Sequence, residues 1–96
     1  WTQRELRGDF SASLLDVAAA TERAFVDLRL VAVTEVVDGV KGKITATLAD
    51  GTSVTIKLKA TDFKTTHFSI KIGAFGDKAM SQQVARYIVR EIDAAQ

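Results

Sequence analysis

Between residues 43 and 72 polar and apolar positions alternate almost without a break. In "GKITATLADGTSVTIKLKAT", Ile44, Ala46 and Leu48 alternate with Lys43, Thr45 and Thr47. After Asp50-Gly51, Val54, Ile56 and Leu58 alternate with Thr55, Lys57 and Lys59. A period of two marks strands with one dry and one wet face. Asp-Gly between two such runs is a hairpin signal, because glycine accepts positive φ at little cost. A further run, "THFSIKIG", points Phe68, Ile70 and Ile72 one way and His67, Ser69 and Lys71 the other. Near the start, "RELRGDF" also alternates, with Leu6, Gly8 and Phe10 opposite Glu5, Arg7 and Asp9. Gly8 weakens that strand or marks a bulge.

Two stretches change period. From Ser13 to Leu28, Leu14, Val17, Ala18, Thr21, Phe25 and Leu28 recur at helical spacing, and Ser13 with Asp16 resembles a capping box. From Asp77 onward, Met80, Val84, Tyr87, Ile88 and Ile92 form a second apolar stripe, with Asp77 as N-cap. The segment "LVAVTEVVDG" is β-branched and ends in a turn signal, but its inward face is ambiguous. Either Val31, Val33 and Val37 point inward, or Leu30, Ala32 and Val36 do; Glu35 shares the first set and so tips the choice to the second.

The pattern predicts one α+β domain over residues 1–96, ordered β-α-β-β-β-β-α: an antiparallel sheet of about five strands with both helices on its apolar face. The first strand is expected beside the last, with the meander between. Composition agrees with one core: 47% of 96 residues are hydrophobic and 26% charged. The net charge of +1 argues against a global field for nucleic acid or membrane. No cysteine is present, which removes disulfides and thiolate chemistry.

The glycine pair in "IKIGAFGDKAM" raises a phosphate-loop reading, since it precedes a helix and is followed by Lys78. It lacks the full dinucleotide and P-loop patterns, and the Asp77 carboxylate stands where an anion would bind. Gly73, Gly76 and Asp77 therefore read as a structural turn and cap, with Phe75 tucked into the core. His67 is the only histidine, Ser69 lies two residues away, and nothing in the sequence supplies an acid partner or a metal-ligand set. No cofactor site and no catalytic residue are expected, and the expectation is a non-enzyme. The outer sheet face carries Lys43, Lys57, Lys59 and Lys71, which suit an anionic polymer, lipid headgroups or a protein partner. Single-strand binders add stacking aromatics to such a face, and none is expected here, so nucleic acid is not favoured. Lysines on a wet sheet face also keep strand edges from pairing.

"GKITATLADGTSVTIKL" followed by "FSIKIGAFGDKAMSQQVARYI" resembles a family of short bacterial lipoproteins of unknown function. The resemblance covers mainly residues 40–90 and centres on Gly73, Phe75, Gly76 and Asp77. It implies an exported, periplasmic or membrane-anchored domain, held by a lipidated cysteine in a segment outside these residues, and acting as an interaction or envelope-structure module. It brings no catalytic residue. The partner would be an envelope protein; a rival is a small apolar ligand held between helices and sheet, with the alanines in and near the first helix leaving room. An exposed edge strand would support a dimer as well as a monomer.

Overall fold

The alternation carries through to three dimensions residue by residue. The computed structural model describes residues 1–96 and contains the strands and helices in the predicted order. These are β1 (Leu6–Phe10), α1 (Leu14–Asp27), β2 (Val31–Val37), β3 (Lys41–Thr47), β4 (Ser53–Asp62), β5 (Thr65–Ile72) and α2 (Lys78–Ala94). The strands form one antiparallel sheet in the order β1-β5-β4-β3-β2. β1 does lie beside β5, but the meander runs away from it instead of between. α1 carries the chain across the apolar face and delivers it at the far edge, so β1 and β2 are the two edges.

Ile44, Ile56 and Ile70 stand opposite one another on β3, β4 and β5 and are fully buried. They share one core cluster with Val17, Ala18, Ala20, Ala24 and Phe25 of α1 and Val84 and Ile88 of α2. An apolar stripe on each helix and one apolar sheet face leave no other way to remove this surface from water. The buried alanines bring α1 close to its neighbours, and the larger surface hollows are lined by none of Ala18, Ala20 and Ala24. Arg23 of α1 ties to Glu91 of α2 through Nε–Oε1 at 3.1 Å.

Gly8 introduces no bulge: it pairs in register with Phe68. A Cβ there would sit 2.8 Å from the Phe68 ring, so the missing side chain is the space that ring occupies. Phe68 also stacks on Phe10, with centroids 4.2 Å apart. At the other edge, β2 follows neither proposed face. A register shift between Val31 and Thr34, with Ala32 at φ 55°, breaks the alternation. Beyond it Glu35 pairs with Ile44 and Val37 with Gly42, which puts Glu35 and Val37 on the helix side and leaves Val36 76% exposed on the outer side. The preference against the set containing Glu35 is therefore overturned. At a sheet edge a carboxylate reaches solvent past the rim and need not be excluded from the inner face.

Candidate functional site

The outer face is read most directly from strand register. Lys41 stands opposite Lys59, and Lys43 opposite Lys57. Across the next ladder Lys57 meets Ser69, Lys59 meets His67, and Lys71 meets Thr55. Lys43, Lys57, Lys59 and Lys71, singled out from the sequence, thus do come together on one face. Lys41 joins them; its alternation with Lys43 and Ile44 was the signal for it, obscured by the adjoining Gly42. None of these lysines forms an ion pair with a carboxylate, whereas Arg7 is held by Glu5 at 3.0 Å. Like charges directly opposite across a ladder destabilise the pairing. The four lysines at the centre of this face therefore carry an electrostatic cost within the fold. Their positions also answer the edge-blocking alternative: they lie on β3 and β4, not on the edges β1 and β2.

His67 acquires an acid that sequence reading did not supply. Its Nδ1 donates to Asp9 Oδ1 over 2.9 Å, because β1 lies in register on β5 and pairs the two residues. The signal was present in two separate observations, the wet position of Asp9 in "RELRGDF" and the expectation of β1 beside β5. Ser69 follows on the same face, but its cross-strand neighbours are Arg7 and Lys57, and no hydrogen bond joins it to His67. A hollow of about 400 Å³ opens along this row between Arg7, His67, Ser69, Lys57 and Lys41.

At the end of β5 the chain turns on Gly73 (φ 71°) and Gly76 (φ 77°), conformations that glycine alone adopts easily. Asp77 Oδ1 accepts from the Met80 amide at 3.0 Å and caps α2. A Cβ on Gly76 would lie 2.5 Å from the Arg4 carbonyl oxygen, so this glycine lets the N-terminal segment cross the turn. Phe75 is not in the core: it is 80% exposed, with the Arg4 guanidinium 5.4 Å from its ring centroid. Ile72 and Val84 already close the core on either side, and the two left-handed glycines turn the intervening residues outward.

A second concave region lies on the opposite side of β1. A groove of about 460 Å³ runs between β1 and α2, floored by Phe10 and Phe68 and walled by Ala85 and Val89. Arg86 and Arg90 stand on its α2 rim. At the far edge, Glu22 of α1 faces Glu35 of β2. The hydrogen bond with Glu22, partial burial and the Glu22 charge together push the Glu35 pKa up to about 7. Asp38 goes the other way, its carboxylate held below the usual range by the amides of Lys41 and Val40 in the β2–β3 turn.

No curated protein matches the chain. No helix is long and apolar enough to cross a membrane. The model of one family, described as a protein of unknown function (DUF3568), matches residues 1–91. With nearly its whole length covered, and with the sheet, the turn, α1 and all of α2 but its last three residues inside the match, the chain belongs to this family.

Proposed function

We propose that this domain is a non-enzymatic interaction module, exported and lipid-anchored at the bacterial envelope, whose contact surface is the lysine face of its sheet. The resemblance to short lipoproteins supports the location. One observation carries the choice of surface: Lys41 against Lys59 and Lys43 against Lys57, each a like-charge pair without a counter-ion. An anionic partner laid on the face relieves that repulsion, so binding and local stability gain together. Outer-face positions in the register hold no Phe, Tyr or Trp, which favours anionic headgroups over a stacked nucleic-acid strand.

Vesicles containing phosphatidylglycerol test the surface. Binding is expected, falling steeply as salt rises, and lost on charge reversal of Lys57 and Lys59 together. Equal binding to purely zwitterionic vesicles, or binding untouched by the double reversal, would overturn the reading. Mass spectrometry of the protein isolated from its native cell tests the anchor: a diacylated cysteine ahead of Trp1 is expected, and an unlipidated N-terminus removes that part.

A further inference from the structure

We propose that the groove between β1 and α2 binds a single-chain amphiphile with a carboxylate head, a fatty-acid type of ligand. The groove's inner surface is apolar: Ala85 and Val89 line it, and the stacked Phe10 and Phe68 rings, only 3% and 7% exposed, lie beneath them at its floor. Val89 stays 42% exposed, although it sits on the helix that carries the core stripe. Its side chain faces a hollow instead of a neighbour. Gly8 keeps this floor flat, since a side chain there would displace the Phe68 ring from its stack on Phe10.

Charge selects the ligand. Arg86 and Arg90 lie one helical turn apart on the rim, and neither forms an ion pair. Two guanidinium forks at that spacing match a carboxylate, whose charge-assisted hydrogen bonds are about twice as strong as neutral ones. Arg90 also rests on the Tyr87 ring, its Cζ 5.1 Å from the centroid, which holds the side chain near the helix and leaves its donors free. The β1 lip carries the opposite charge in Asp9, already engaged by His67. The head therefore belongs at the α2 rim and the chain lies along the phenylalanines. Size sets the rest. The groove is open to solvent along its length, and its volume of about 460 Å³ gives room to lay one alkyl chain against the helix. This site is separate from the lysine face in position and in ligand, so each proposal can fail without the other.

Dodecanoate, titrated below its aggregation concentration and followed by amide chemical shifts, tests the site, with dodecanol as the uncharged control. Shifts are expected to concentrate at Phe10, Phe68, Ala85 and Val89. The double variant Arg86→Gln/Arg90→Gln should weaken dodecanoate by about tenfold or more and leave dodecanol unchanged. Val89→Glu should weaken both ligands. These side chains are exposed, so the variants should melt within a few degrees of the parent, and reversal of Lys57 and Lys59 should leave dodecanoate binding intact. Shifts spread over the lysine face, equal affinity in the double arginine variant, or a concentration-dependent dimer that closes the groove would each overturn the proposal.

Discussion

The two faces of the sheet are written by the same strands, one residue in, one residue out, and they differ in what each residue does for the fold. On the inner face Ile44, Ile56 and Ile70 line up in register and each is fully buried. On the outer face Lys43, Lys57 and Ser69 line up in the same register, and the lysines repel. These buried inner positions lower the free energy of the folded state, while the central outer positions raise it. Residues that work against the structure they occupy are the best place to look for a partner outside it.

The sharpest test of this difference is a pair of truncations on β4. Ile56→Ala empties a site with 0% exposure and should cost about 2–5 kcal/mol in chemical denaturation. A cost near zero would mean that the inner face is not packed as described. Gly76→Ala comes next. Its φ of 77° and the 2.5 Å approach to the Arg4 carbonyl leave no room for a methyl group, and a loss of about 1–3 kcal/mol is expected. Chemical shift changes should reach Thr2 to Glu5, because the N-terminal segment crosses there. Lys57→Thr, one residue from Ile56, should do the opposite and raise stability by about 0.2–1 kcal/mol, since it removes one like-charge pair and places a good strand former. The same change should weaken binding to anionic vesicles. A variant that loses stability and keeps binding would break the contrast between the faces.

What the chain discloses about itself follows this division. Where a strand is interior, burial enforces the alternation, and the large apolar inner residues of β3, β4 and β5 were legible one by one, whereas Thr66, fully buried on β5, was not. The lysine face was legible as their complement. Edges lack that enforcement. β2 carries the same kinds of residue as β4, yet its register shift and the positive φ of Ala32 are permitted because one side has no partner strand. No local pattern distinguishes such a strand from an interior one. Phe75 was misplaced for a related reason: hydrophobicity alone argued for the core, whereas the two left-handed glycines around it decided otherwise. The His67–Asp9 contact and the β1–α2 groove depend on which strand lies beside which, and they appear only when β1 is placed on β5.

The smallest effect expected concerns the one place where the inner face carries an acid. Glu35 sits on the helix side of an edge strand beside Glu22, and its pKa is pushed up to about 7 from an ordinary 4.5. Between those two values the folded state holds a proton that the unfolded chain has lost. Stability should therefore decline as pH rises from 4.5 to 7 and level off above, where both states are ionised. Glu35→Gln keeps the hydrogen bond to Glu22 without the second charge, so it should abolish that decline and melt slightly higher than the parent at pH values above 7. The group is largely exposed, and solvent screening keeps the gain small. Glu22→Gln should act in the same direction, and the double variant should add little to either, because each single change already removes the shared repulsion. A pH profile of thermal stability that keeps its slope in Glu35→Gln would place the carboxylates too far apart to interact. It would leave β2 an edge whose inner side is as open to water as its outer side.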